Sequence, residues 1–595
     1  MPPRTIGRLW RDAVAAGRPD PVHLVERDGE WTPLSLADAA QRVDDLANGL
    51  LARGVRKGDA FGIFAQTRSE WSLFDFALSL VGAVTAPIYA NSSPHDCAYV
   101  LGHSESVGVL AEDAAGKAMV EGVRDELPLL THVLTFDDLD ALAEEGRAFA
   151  AQHPNALTEA ERAVGEDDLF TYIYTSGTTG PPKGCMISHR NYYEMAAVVQ
   201  EMGDVFREDD LLLLYLPLAH NFGRLVHLTG PLAACTVAFC ADPYLVGDAL
   251  LKVRPTVFPS VPRVYEKIHT AIVARFDAAT GAQRALIRWA LGVGRRVSVL
   301  RQRQQRIPPG LAVQHRVADR LVYSKVKARL GGRLRRAISG GAPLAVEILE
   351  LFHALDILII EAYGLTECTS GATSNRAENF RFGTVGQALP GWELRLADDG
   401  ELFVRSPTVF AGYLKDEAAT HAVLDGDGWL ATGDIASIDE DGFVTITDRK
   451  KDILVTAGGK NVAPQNLENE LKGSRYVSQA LVVGDRRPYV AALITLDPVE
   501  IATWATERGI GGDADTIARH PDTHALVQSI VDDVNQTHSR FEQIKRFAIL
   551  DRDFSAEEGE VTPTLKLRRK TCQEHFADDI ERLYERQDAV LDIAG

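Results

Sequence analysis

Residues 174–184 read YTSGTTGPPKG and directly follow the apolar run LFTYI. A strand that opens into a loop of Gly, Ser and Thr leaves backbone N–H groups and hydroxyls free to wrap a polyphosphate. The groups offered belong to Thr175, Ser176, Gly177, Thr178, Thr179 and Gly180, and Lys183 adds a mobile positive charge. The segment is not a Walker-type P-loop. Counted from Gly177, Lys183 is in register, but Pro182 stands where the second glycine belongs, and Gly184 replaces the hydroxyl residue that would hold magnesium. The competing reading is a flexible surface linker, which a lysine and two prolines at a strand end do not suit.

Further candidates recur along the chain. ISGGAPL (338–344) and EAYGLTE (361–367) each follow an apolar run, TGD lies at 432–434, DRKKDILVTAGGKNVAP at 448–464 and TPTLKLRR at 562–569. No G-x-S-x-G elbow and no H-E-x-x-H helix is present, which disfavours a hydrolase. In this order and at these spacings the motifs resemble the adenylate-forming superfamily of acyl-CoA synthetases, luciferases and peptide-synthetase adenylation domains. The nearest likeness is to long-chain fatty-acid–CoA ligases, through LPLAHNFGR (216–224) and RPTVFPSVPRVYEKI (254–268), and it covers nearly the whole chain.

That resemblance implies a fatty acid, ATP and CoA as substrates and Mg²⁺ as cofactor. A carboxylate and the α-phosphate of ATP repel each other, so a catalyst must screen both and spread the charge that develops, mostly with positioned cations and dipoles. By resemblance, Glu367 holds Mg²⁺, with Thr175 or Thr366 nearby on the phosphates; hard oxygen donors are what magnesium prefers. Lys566 bridges the carboxylate and α-phosphate, although the sequence reads Thr-Leu-Lys where Asn-Gly-Lys is commoner. His220 flanks the same groups, completing a catalytic set of Lys566, Glu367, Thr366 and His220. Asp434 accepts hydrogen bonds from the ribose diol, and Arg449 serves ribose or phosphate. Tyr363 offers a flat face to adenine, while Gly340, Gly341 and Ala362 let backbone approach. Lys451 is implied as a hinge, and Gly458, Gly459 and Lys460 as the loop beside CoA. Two alternatives stay open: an acyl carrier protein as acceptor, and a non-catalytic acyl or nucleotide binder. The intact Glu367, Lys566 and Asp434 speak against the second.

The elements that must position these residues are those of an α/β fold. Runs such as VGAVTAPIY, VGVLA, LLLLYLPLAH and LILIIEAYG alternate with helical segments, which implies parallel sheets covered on both faces. Around residues 385–447 the texture turns to antiparallel hairpins with Gly and Asp turns. The expected organisation is a large domain over 1–447, a hinge at 448–452 and a small, mobile α+β domain over 453–595. At 595 residues more than one core is expected. A net charge of −20 argues against non-specific nucleic-acid binding. Six scattered cysteines without a CxxC pair, and a charged N-terminus, suit a cytoplasmic protein. Residues 284–336 depart from this balance, with fifteen Lys or Arg and one acid, Asp319. A contact with anionic membrane or with cosubstrate phosphates is one reading. A solvated helical face is the other, and charge alone favours it.

Overall fold

The computed structural model describes residues 3–18, 20–27, 29–175, 181–202, 205–555, 557–562 and 567–585. Ser176, Gly177, Thr178, Thr179, Gly180 and Lys566 lie outside these. The chain forms two compact units. One comprises Met1–Arg395 with Phe403–Thr432 and Ile438–Thr445; the other comprises Leu396–Leu402 with Gly433–Ser437 and Ile446–Gly595.

Among the described residues, the first unit contains two large sheets. In the seven-stranded sheet the order is Gly412–Tyr413, Lys183–Ser188, Leu169–Thr175, Val84–Ile88, Ala60–Phe64, Gly108–Ala111 and His132–Thr135. The last five of these strands are parallel. Their uninterrupted apolar character follows from burial on both faces: every residue of AFGIF and of VTAPI is buried. The nine-stranded sheet has a parallel centre of Ile359–Tyr363, Arg336–Ser339, Val257–Ser260, Leu211–Leu214, Thr236–Phe239 and His23–Arg27. Antiparallel strands close both edges of this sheet.

One departure from the expected parallel pattern matters for function. The glycine-rich loop does not lead into a helix. It joins Leu169–Thr175 to the antiparallel strand Lys183–Ser188, with Thr175 opposite Lys183. Strand alternation upstream gave no sign of this hairpin, because two prolines obscure the start of the returning strand.

The sheets are tied together by two helices. Ser69–Val81, buried along nearly its whole length, meets Asn221–Leu232. Asp75 and Arg224 form an ion pair with both side chains fully buried. Arg224 also donates to Thr171 Oγ1 at 3.0 Å and lies between the rings of Trp71 and Phe170. Ser72 bonds His227 Nε2 at 2.6 Å.

In the second unit, Val477–Val483 and Val490–Leu496 pair antiparallel, and Ile544–Ile549 adds a parallel third strand. Both faces of this sheet are covered. Ala480, Val482, Ala492 and Ile494 pack into one core, and Leu481, Val483, Ala491 and Leu493 into the other, as period-two alternation requires. The turns at Ala397–Gly400 in this unit and at Asp439–Gly442 in the first match the Asp-Gly signals read in the sequence. No helix of the described residues is long and apolar enough to cross a membrane.

Candidate active site

In the first unit the predicted residues converge on the C-terminal ends of the parallel strands, where open α/β sheets hold ligands. Gly340 and Gly341 follow Arg336–Ser339, and Ala362 and Tyr363 end the neighbouring Ile359–Tyr363. Gly341 has φ +87°, which favours glycine. Gly340 sits close to its neighbour: a Cβ there would come within 3.3 Å of the Phe222 ring, which would have to shift by a few tenths of an ångström. The expectation that both glycines admit ligand to backbone is thus complemented by packing.

After Tyr363 the chain makes a sharp turn. A Cβ on Gly364 would lie 1.8 Å from the Ser370 carbonyl oxygen, and Thr369 and Ser370 both adopt positive φ. The turn presents Thr366 and Glu367 on a short 3₁₀ segment, Thr366–Cys368. Two anchors hold it. Asn221 donates to the Thr366 carbonyl at 3.3 Å, and the Phe410 N–H donates to the Glu367 carbonyl at 2.9 Å. Asn221 is itself fixed by a hydrogen bond from the Tyr192 hydroxyl.

Asn221 opens the helix whose N-cap is His220. The His220 Nδ1 accepts from the Phe222 N–H at 3.2 Å. The start of this helix packs tightly on the preceding loop, since a Cβ on Gly223 would meet the Pro217 carbonyl at 2.5 Å. His220 and Thr366, 146 positions apart, are therefore coupled through one asparagine.

Glu367 reaches the other sheet. Its Oε1 accepts from the Tyr413 hydroxyl at 2.7 Å, and the Lys183 ammonium lies 4.8 Å from the centre of the Tyr413 ring. Tyr413 pairs with Cys185 in the hairpin strand, and the Leu414 N–H donates to the Gly184 carbonyl at 2.8 Å. Burial drives the Cys185 thiol far above its usual range, and the Glu367 charge adds to the effect. Burial together with Glu367 likewise raises the Tyr413 hydroxyl, keeping it a neutral donor. Carboxylate, phenol and lysine thus gather at the mouth of the glycine-rich loop.

The donor set fits a hard divalent cation. Tyr413 occupies one oxygen of the partly exposed Glu367 carboxylate, while its other oxygen has no protein hydrogen bond among the described residues. Thr175, opposite Lys183 at the end of the hairpin, adds a hydroxyl of the hard kind such a cation prefers.

Glu361, missed by the sequence reading, lies two residues before Tyr363. It is 7% exposed, its Oε1 accepts a 3.3 Å bond from the Leu344 N–H and no other among the described residues, and burial pushes its carboxyl up to about 8. Tyr413 was missed as well. It meets Glu367 across 46 positions, and no local signal marks it.

The second unit holds the remaining predicted residues. Asp434 is buried with its carboxylate 3.7 Å from the Arg449 guanidinium. The neighbouring Asp448 accepts from the Arg449 and Gln465 N–H groups, and burial lifts it to about 6. Lys450 is clamped by Asp399 at 2.6 Å and Glu401 at 2.7 Å, whereas the adjacent Lys451 is exposed. Gly458, Gly459 and Lys460 form an exposed turn closed by the Gly459 N–H to the Thr456 carbonyl at 2.8 Å. Gly459 has φ +69° and nothing near its missing Cβ.

Comparison with known proteins gives consistent results. The model of the AMP-binding enzyme family matches residues 11–414, and that of the AMP-binding enzyme C-terminal domain matches 451–588. The long-chain-fatty-acid–CoA ligase FadD15 of Mycobacterium tuberculosis is 40% identical over 610 residues, covering 98% of this chain and 99% of the relative. The long-chain-fatty-acid–CoA ligase 6 of Mus musculus is 33% identical, over 94% of this chain and 83% of the relative. Among solved structures, the adenylation domain of a carboxylate reductase from Mycobacterium chelonae superposes with a TM-score of 0.74 at 22% identity, covering 98% and 91% of the two chains. That likeness concerns the fold.

Proposed function

Because this chain belongs to the AMP-binding enzyme family, close to the long-chain fatty-acid–CoA ligases, we propose that it joins long-chain fatty acids to CoA at the expense of ATP. The observation that carries the proposal is the meeting of Glu367, Tyr413 and Lys183 beside the Thr175 hairpin, with His220 tied to the same turn through Asn221. This arrangement suits the transfer of a nucleotidyl group between two anions.

In the first half-reaction a carboxylate oxygen attacks the α-phosphorus, and the bond to the β-phosphate breaks to release pyrophosphate. Lys183 and the loop N–H groups bind the β- and γ-phosphates, and Lys566 bridges the carboxylate and the α-phosphate. The Tyr413 hydroxyl orients Glu367 for magnesium, with Thr175 as second donor. Bound Mg²⁺ supplies charge neutralisation on the phosphates. Asp434 and Arg449 hold the ribose, and Tyr363 covers adenine. In the second half-reaction the CoA thiol gives up its proton to water, its sulfur attacks the acyl carbonyl carbon, and AMP departs with the electron pair of the broken C–O bond. The turn at Gly458, Gly459 and Lys460 lines the route of the thiol arm, and Lys451 serves as the hinge.

The direct test is release of AMP and pyrophosphate from ATP over acids from acetate to oleate, with CoA or with an acyl carrier protein as acceptor. The expected result is CoA-dependent AMP release that favours the long acids. Absence of AMP and pyrophosphate with every acid would overturn the reading, and discharge only to the carrier protein would replace CoA as acceptor. Lys566→Ala should nearly abolish adenylate formation yet spare thioester formation from a supplied acyl-adenylate.

A further inference from the structure

The basic stretch between residues 284 and 336 has an outer surface that charge alone does not explain. It consists of the helix Gly281–Gln302 followed by Pro309–Ala318, a π-helical turn at Asp319–Tyr323 and Ser324–Ala328. The first helix buries Ile287, Ala290, Val293 and Val297 and exposes positions 285, 288, 289, 292, 295, 296 and 299. Those exposed positions recur every three or four residues, so they form one continuous stripe. The second helical run exposes 313, 316, 317, 320 and 321 with the same spacing. A 2.9 Å hydrogen bond from Arg296 to Gln314 sets the two stripes side by side.

The composition of this face is unusual. Fourteen large hydrophobic side chains remain exposed among the described residues, and five of them fall between 289 and 321: Trp289, Val299, Val313, Val317 and Leu321. Between them stand arginines such as Arg288, Arg295, Arg316 and Arg320, which form no ion pair among the described residues. The acids of the region serve inward-facing partners: Asp319 pairs with Lys327, and Asp356 with Arg301 and Lys327. Singly scattered apolar groups are ordinary on a solvated face, but here five share two adjoining stripes with arginines that have no acid partner among the described residues. A nucleic-acid surface would have the arginines but no use for exposed valines and leucine. Cations that neutralise lipid phosphates, alternating with apolar tips that reach the acyl boundary, match a bilayer surface.

We propose that the paired outer faces of 281–302 and 309–328 dock this protein on an anionic lipid bilayer, with the arginines on headgroups and Trp289, Val313 and Leu321 at the acyl boundary. Docking does not depend on the reaction assigned above, and it is measured without ATP.

The experiment is co-sedimentation of the full chain with vesicles of phosphatidylcholine, with and without phosphatidylglycerol. Binding is expected only to the phosphatidylglycerol vesicles, falling as salt is raised. Replacing Arg288, Arg295 and Arg316 together by Gln should weaken the partition coefficient on the order of a hundredfold. The separate variant Trp289→Ser with Val313→Ser should weaken it while leaving the charge unchanged. Val313 and the three arginines are exposed and Trp289 is 38% exposed, so melting midpoints measured alongside separate loss of docking from loss of stability. The proposal fails if both vesicle types bind equally, or if either variant binds like the parent. It fails also if duplex DNA binds with the same arginine dependence while Trp289→Ser with Val313→Ser leaves vesicle binding intact; the surface would then be a nucleic-acid one.

Discussion

At Glu361 the chain carries a carboxyl into the core beside the proposed adenine face and gives it, among the described residues, one long hydrogen bond. Burial favours the neutral form, which shifts titration from the ordinary 4.5 to about 8. The native state then holds a proton that the unfolded chain has lost throughout the window from 4.5 to 8. Stability therefore falls as pH rises through this window. Glu361→Gln removes the titration. The variant should gain on the parent progressively across the window, reaching roughly 3–5 kcal/mol above pH 8. Denaturant unfolding of both proteins over that range would check it, and parallel pH profiles would refute it. Tyr413 illustrates a residue-scale role of another kind: its neutral hydroxyl spends its proton on Glu367 and leaves the second carboxylate oxygen available.

At the scale of elements, the helix Asn221–Leu232 carries His220 and Asn221 at its head, and Arg224 one turn further on fixes the helix in the interior. The pair with Asp75 is enclosed by aromatic rings and by Thr85 and Thr171, so neither charge has water to fall back on. Removing one member leaves a buried unpaired charge, at a cost of about 3–5 kcal/mol, whereas replacing both by apolar groups of similar volume is far cheaper. Arg224→Met alone should therefore lower the unfolding midpoint more than Arg224→Met combined with Asp75→Leu. A double variant less stable than the single one would show that the pair does not anchor the helix through its charge.

At the scale of the whole molecule, the proposed functional groups divide between the two units. Glu367, Thr175 and His220 belong to the first; Asp434, Lys566 and the Gly459 turn belong to the second. The roles proposed above assign the two half-reactions to different residues, so mutation should separate them. At Gly459 a side chain would find space but an unfavourable backbone conformation, with strain of roughly 1–2 kcal/mol. Gly459→Val is expected to slow thioester formation about tenfold while fatty-acid-dependent ATP–pyrophosphate exchange stays near the parent rate. Gly458→Ala, at ordinary φ with its nearest neighbour 3.9 Å away, is the matched control. An equal fall in both half-reactions of Gly459→Val would remove the turn from the CoA route.

Much of this protein could be read from its linear order. Local backbone chemistry leaves signatures that need no tertiary context: apolar runs that must be buried on both faces, Asp-Gly turns, and glycines before acids at strand ends. These gave the parallel α/β layers and the hairpin-rich stretch near 385–447, whereas Thr366, Glu367 and His220 were singled out through the resemblance of their motifs to a known family. The tertiary structure decided what depends on distant partners. Tyr413 became a ligand of Glu367 through its pairing with the hairpin strand, Glu361 became a high-pKa acid through burial, and Gly340 proved to sit close to Phe222. The basic stretch shows the same limit. Its charge was legible, but the face on which Trp289 and the exposed valines accompany the arginines exists only once helical periodicity and the packing of Ile287, Val293 and Val297 fix which side points outward.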